Sequence, residues 1–256
     1  MNAHSGTRSV ELTAGPGVEA ETREEALAEV TRRLDRVVHP VDRIRLRLTW
    51  LPAPGLAHRA LAQVNLELAG VPARVQVAAP TLPSAVRALG ARLSIQVAAA
   101  LAPPAPRPWP DGRGRPEPVS TSGDGGRIIR HKAVSLESCS PTTAALTMDR
   151  LDHSIHLFVD ADTGVESVVR RVGPTGYRLT RLAGLAPPSA VAGSVSVPMT
   201  VDVHPVPTRT LDQIARRLDI AELDHRFFRD AQTGRGAVLY RRYDGGLALL
   251  TGTVGG

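Results

Sequence analysis

FFRDAQTGRGAVLYRRYDGG, Phe227–Gly246, has the form of a β-hairpin: an apolar lead-in, a turn, then a β-rich strand ending in paired arginines. LFVDADTGVESVVRRVGPTG, Leu157–Gly176, repeats it upstream. Both copies run aromatic, x, Asp-Ala-x-Thr-Gly, then an apolar stretch into Arg-Arg. Asp-Ala-x-Thr-Gly is turn chemistry. The fold of the C-terminal half turns on why this small unit occurs twice.

Around each hairpin the sequence predicts a β-α-β-β unit. The first starts at IIRHKAVSL (128–136), continues through a helix from Ser140 or Pro141 to Asp152, and ends in the upstream hairpin. The second starts at VSVPMTVDV (195–203), has a helix at TLDQIARRLDI (210–220), and ends in the downstream hairpin. The modules span 127–184 and 195–256, and AGLAPPSAVAG (183–193) is a short flexible joint between them. A unit this small buries little surface alone, and pairing of the two copies is the natural remedy.

LAPPAPRPWPDGRGRPEPVSTSGDGG (101–126) is packed with Pro, Gly, Ser and charge, so residues 103–126 are expected to be a flexible linker. Ahead of it, residues 1–102 read as one domain. Ser9–Thr13 is a short strand. Thr22-Arg-Glu-Glu25 has capping-box spacing, and Leu27, Val30, Leu34 and Val37 make 22–38 an amphipathic helix. RIRLRLTW (43–50) alternates, with Ile44, Leu46 and Leu48 on one face and Arg43, Arg45 and Arg47 on the other. Strands follow at 59–68 and 71–78, turned by Gly70. Pro83 then opens a helix whose Leu82, Val86, Leu89, Leu93 and Val97 form a stripe. The class expected is α+β: a β-α-β-β-β-α sandwich of double-stranded-RNA-binding type, then two tandem modules.

Composition narrows the functions. Aromatic residues are 3% of the chain, so the cores must be aliphatic and base-stacking surfaces are scarce. No run of about 18 apolar residues and no signal-peptide pattern is present, and the single Cys139 fits a reducing compartment, so a cytoplasmic protein is expected. The net charge of +6 favours a polyanionic partner. Residues 1–102 carry 12 basic against 9 acidic side chains, 103–132 carry 6 against 3, and 133–256 carry 13 of each. The basic surplus thus lies in the front half and linker. Lys132 is the only lysine; arginine's planar fork suits phosphate, although a GC-rich genome gives the same bias. No Walker or Rossmann glycine pattern and no catalytic constellation occurs, and no cofactor is expected.

The C-terminal half resembles the C-terminal module of long ribosome hibernation-promoting factors. Ile129, Arg130, Lys132, Leu136, Met148, Leu151, His153, Phe158, Asp160, Thr163, Gly164, Arg170 and Arg171 fall on that module's pattern. In the second unit Phe228, Asp230, Thr233, Gly234, Tyr240, Arg241, Arg242, Asp244 and Gly245 do so, with Leu223 at the family histidine's place. Two modules in one chain look like the actinobacterial, dormancy- and hypoxia-associated version. The resemblance implies a non-enzymatic factor whose first domain binds the mRNA and tRNA channel at the decoding region of 16S rRNA in the small subunit. It would silence translation and protect idle 70S ribosomes under stress. Candidate rRNA contacts are Arg32, Arg33, Arg36, Arg43, Arg45, Arg47, Arg74, Arg87 and Arg92. The bland alternative is a solvated face, with Glu29 and Asp35 pairing some of these charges.

Module pairing, in cis or with a second chain, is assigned to Phe158, Val168, Val169, Phe228, Val238, Leu239 and Tyr240. Pairing in cis predicts binding to single 70S ribosomes; pairing between chains predicts ribosome dimers. A non-ribosomal interaction protein that modulates transcription or signalling is the alternative from another class. No membrane and no small-molecule substrate is expected. His153 and His156 have H-x-x-H spacing without an acidic cluster to complete a metal set, and Cys139 reads as a packed small hydrophobe.

Overall fold

Alternating apolar strands and helical stripes demand layers, and they form them. In a computed structural model, which describes residues 9–51, 58–102, 128–172, 176–184, 197–220 and 224–253, the chain is α+β, with four helices and three sheets among those residues. The expected linker and most of the expected joint lie outside the described residues. The chain divides into Met1–Pro103 with Arg150–Asp152, and Pro104–Asp149 with His153–Gly256. No helix among the described residues is long and apolar enough to cross a membrane.

In the first unit the order is β1 (Val10–Ala14), α1 (Ala20–Leu34), β2 (Val41–Trp50), β3 (Ala60–Leu68), β4 (Val71–Ala79) and α2 (Leu82–Leu101). The sheet order is β1-β2-β3-β4, with β1 parallel to β2 and the rest antiparallel. Register lines up Leu46, Val64 and Val75, all buried, and the period of two carries this apolar face along all three strands. Both helices cover it. Thr81 and Ser84 cap α2 reciprocally, and Pro83 occupies its first turn. Ala69 and Gly70 both have positive φ, the two-residue turn that matches the twist of β3 and β4.

Three local expectations fail. Thr22 does not cap α1: the N-cap is Glu19, and Thr22 lies inside the helix. Its spacing with Ala26, Val30 and Leu34 puts it on the buried face, so packing claims the residue. The helix also stops at Leu34 rather than 38, and Val38 is 96% exposed. In β2 the register shifts between Asp42 and Arg45, and Arg43 has φ 51°. This irregularity takes Arg43 out of the alternation.

The second unit contains β5 (Ile128–Val134), β6 (Ser138–Cys139), α3 (Pro141–Arg150, whose last residue groups with the first unit), β7 (Ile155–Asp160), β8 (Val165–Val172) and β9 (Gly176–Arg181). Then come β10 (Met199–Asp202), β11 (Thr208–Arg209), α4 (Leu211–Ile220), β12 (His225–Asp230), β13 (Gly236–Arg241) and β14 (Leu247–Gly252). One sheet runs β10-β9-β8-β7-β6 and the other β11-β12-β13-β14-β5. The two lead strands are therefore exchanged. β5 lies parallel to β14, and β10 lies parallel to β9. β9 and β14 are third strands beyond the expected hairpins, and each would leave an open row of backbone donors and acceptors without its guest.

The repeated turn has a mechanism. Asp160 Oδ1 accepts the Asp162 amide at 3.1 Å and Asp230 Oδ1 accepts the Gln232 amide at 3.1 Å, while Gly164 and Gly234 close the turns at φ 67° and 70°. In the first copy the carboxylate also meets Arg181 at 2.7 Å, and both side chains are fully buried.

The first copy encloses a second polar cluster. Asp149 accepts from Arg171 and, at 2.5 Å, from Tyr177 Oη, and the Arg171 guanidinium lies 5.5 Å from the centre of the Tyr177 ring. Arg171 Nε and Nη1 are buried with no hydrogen-bond partner, so Asp149 carries most of the compensation for that charge. Asp149→Ala is expected to lower stability by about 3–5 kcal/mol, because one partner of a buried pair is removed. Tyr177→Phe is expected to cost about 1 kcal/mol. Urea unfolding of the full chain measures both.

Candidate functional site

The candidate rRNA arginines do not form one patch. On the outer sheet face, register lines up Glu11, Arg45, Asn65 and Arg74 in one row and Thr13, Arg47, Gln63 and Gln76 in the next. Arg45 and Arg47 are exposed and form no ion pair among the described residues. Arg43 is 79% exposed and pairs with Glu67 at 3.1 Å. Ser9, Glu11, Arg43, Ile44 and Arg45 line an open depression at this edge. Arg74 is half-buried and bonds Gln63 at 3.4 Å and Gln76.

The remaining candidates sit on the helical side of the core. Arg32 and Arg33 both bind Glu29, and the paired guanidinium groups hold its carboxyl below the usual range against the opposing effect of burial. Gly90 lets Glu29 lie against α2, since a Cβ there would come 1.9 Å from Glu29 Oε1. Arg36 and Arg87 are exposed. Arg92 is 13% exposed and ion-paired with Asp152 at 2.6 Å within the same unit. The β2 arginines are thus the ones presented together and largely uncompensated.

In the second unit the pairing candidates separate by strand parity. Phe158 and Val169 pack beneath α3 with Met148 and Tyr177. Phe228 and Leu239 pack beneath α4 with Ile214 and Leu218. Val168, Val238 and Tyr240 belong instead to a cluster shared by the two sheets, with Leu157, Leu182 and Phe227. Leu157, Leu182 and Phe227 escaped the sequence reading. The signal was available for two of them: once Phe158 and Phe228 turn toward the helices, their neighbours must face away.

The seam has different chemistry at its two ends. Glu166 Oε1 accepts Arg235 Nε at 2.9 Å, and Glu166 Oε2 accepts the Gly236 amide at 2.5 Å. Arg235 Nη1 also donates to the Gly252 carbonyl at 3.2 Å. Two residues further along β8, beyond Val168, Arg170 stands directly opposite Arg178 on β9. Burial, Arg178 and Arg226 push the Arg170 guanidinium below its ordinary value. Burial, with Arg170 and Arg226 adding to it, pushes His225 down to about 4, so that ring is neutral at pH 7.

The arginine doublets are not equivalent pairs. Counting from the turn glycines Gly164 and Gly234, Arg171, with its side chain 5% exposed, matches the buried Arg241, while Arg170 matches Tyr240 and Arg242 matches Val172. Arg242 pairs with Asp244 at 2.7 Å and is pushed above its ordinary value, chiefly by that bond.

Among the described residues no group of His, Cys, Asp and Glu could hold a metal ion. Burial pushes His156 down, and burial with Glu137 and Asp160 pushes the Cys139 thiol up to about 11, which leaves it protonated and unreactive at neutral pH.

Two comparisons bear on these surfaces. Residues 124–179 match the family described as sigma 54 modulation/S30EA ribosomal protein C terminus. Two curated relatives, each called a dormancy associated translation inhibitor and each from a strain of Mycobacterium tuberculosis, are 40% identical over 198 residues, covering 75% of this chain and 71% of theirs.

His225 makes the seam sensitive to acid. Its folded value of about 4 lies below the unfolded 6.5, so the unfolded chain takes up the proton first. The contribution is complete above pH 6.5 and is lost as pH falls toward 4, by about 3 kcal/mol in all. His225→Gln should flatten this part of the stability profile, measured as urea midpoints between pH 7 and pH 4.

Proposed function

Because the chain belongs to the long-form hibernation-promoting factors, the sigma-54 modulation/S30EA ribosomal family, we propose that it inhibits translation by binding the ribosome, without chemistry of its own. The observation that carries this reading is the 40% identity to dormancy associated translation inhibitors across three quarters of the chain. Residues 1–102 act as the ribosome-binding domain and occupy the decoding region of the small subunit. Phosphate contacts from Arg45 and Arg47, with Arg43 beside them, would fix its position on 16S rRNA. Such contacts need exposed, uncompensated guanidinium groups rather than a base-reading surface, and β2 supplies them. Arg36 and Arg87 are further contacts in this reading.

Residues 127–184 and 195–256 act as paired modules. The shared cluster and the exchanged lead strands support pairing within one chain. The factor then holds single 70S ribosomes idle rather than tying two together.

Arg43→Glu with Arg45→Glu and Arg47→Glu should abolish co-sedimentation with ribosomes and relieve inhibition in a cell-free translation assay. Unchanged binding would move the site elsewhere. The milder pair Arg45→Ala and Arg47→Ala should lower the slope of log affinity against log salt by about 2, one for each phosphate contact removed.

In a sucrose gradient, purified full-length protein should leave the 70S peak in place. A heavier ribosome-dimer peak would reverse the cis assignment.

A further inference from the structure

We infer that the seam between the two C-terminal sheets is coded for unlike halves: the face of the first copy accepts that of the second and repels a second copy of itself. This rests on the reading above that the two modules pair within one chain. Its chemistry lies in residues that differ between the copies at matching positions.

Matching positions meet across the seam. Glu166 and Gly236 each stand two residues after their turn glycine, and the Gly236 amide donates to Glu166 Oε2 at 2.5 Å. In the observed pairing one carboxylate therefore faces one amide and the Arg235 guanidinium. If a first copy met another first copy, Glu166 would face Glu166. The position matching Arg235 is Val165, so no cation would compensate the two desolvated carboxylates. One layer further along, Arg170 and Arg178 would meet a second such pair. In the observed seam the position matching Arg170 is Tyr240 and that matching Arg178 is Ala248, so the Arg170–Arg178 pair meets the guanidinium of Arg226 there rather than a second arginine pair.

The second copy is cut to receive the first. A Cβ on Gly236 would lie 3.1 Å from Glu166 Oε2 and 3.0 Å from the Phe227 ring. A Cβ on Gly252 would lie 2.6 Å from Leu136 Cδ1 and 2.8 Å from Arg235 Nη2. The position matching Gly252 is Leu182, which fills the seam instead of yielding to it. Two second copies would bring Arg235 toward Arg235 with no carboxylate. Attraction in the unlike pair and repulsion in both like pairs together give selectivity.

Two measurements on the free full-length protein test this apart from any ribosome assay. In urea unfolding, E166R and R235E should each raise the unfolding equilibrium constant about tenfold or more, as expected for a broken part-buried charge pair. E166R/R235E should recover at least half of the summed loss, and E166Q, which keeps the side-chain shape, should show a smaller loss of the same sign. A double variant no more stable than the weaker single would overturn the code. In a C139S background, V168C treated with a short bis-maleimide should remain a single chain, whereas V168C/V238C should cross-link within the chain. Joined V168C chains, or a double-cysteine chain that does not cross-link internally, would overturn it as well. Loss of ribosome binding by itself leaves both readouts unchanged, so the two proposals fail separately.

Discussion

The architecture of the C-terminal half follows from sheets that are apolar on both faces. Phe158, Val169 and Leu179 require a cover on one side of the first sheet, and Leu157 and Val168 require one on the other. Each repeat contains a single helix, which covers a single face. The second face must find another apolar sheet or meet water, and the sister repeat supplies it. Five side chains fully or nearly buried between the sheets, each removing apolar surface from water, would stabilise the contact by several kcal/mol if they were exposed otherwise. The first unit has no such need: its sheet turns one apolar face to two helices and leaves the other polar.

Charge is distributed to suit that division. In the second unit several arginines are held internally: Arg181 and Arg241 are buried, the Arg171 side chain is enclosed against Asp149, and Arg235 clasps Glu166. This is the physical meaning of a half in which acids and bases balance. In the first unit Arg32, Arg33 and Arg92 are held by Glu29 or Asp152, while Arg45 and Arg47 of β2 face solvent. A surplus of three positive charges by count in residues 1–102 becomes a local surface only because strand alternation sorts it.

Much of this was legible in the sequence where local periodicity governs. The alternation of Ile44, Leu46 and Leu48, the stripe of α2 and the Asp-Ala-x-Thr-Gly turns each depend on neighbours a few residues away. Thr22 was misread because capping and packing compete for the same residue, and only tertiary burial decides. Leu157 and Phe227 were missed through a parity error of one residue, which in a strand exchanges the two faces. The arginine doublets misled for the same reason, since aligning them as pairs slips the second copy by one. The exchange of β5 and β10 was beyond local reading, because β5 pairs with a strand more than a hundred residues away and β10 joins the sheet of the other repeat, and neither leaves a mark in the strand alone.

That exchange also sets a timetable. β5, at residues 128–134, completes its ladder against β14 at residues 247–252, more than a hundred residues further along the chain. Contacts so distant in sequence are closed late, after the chain has lost the entropy of a long loop. The first repeat cannot finish its own seam before the second has been made; until then its sheet face and the edge of β5 lack their partners. The first repeat thus reaches its closed form only once the second has been made in full through β14.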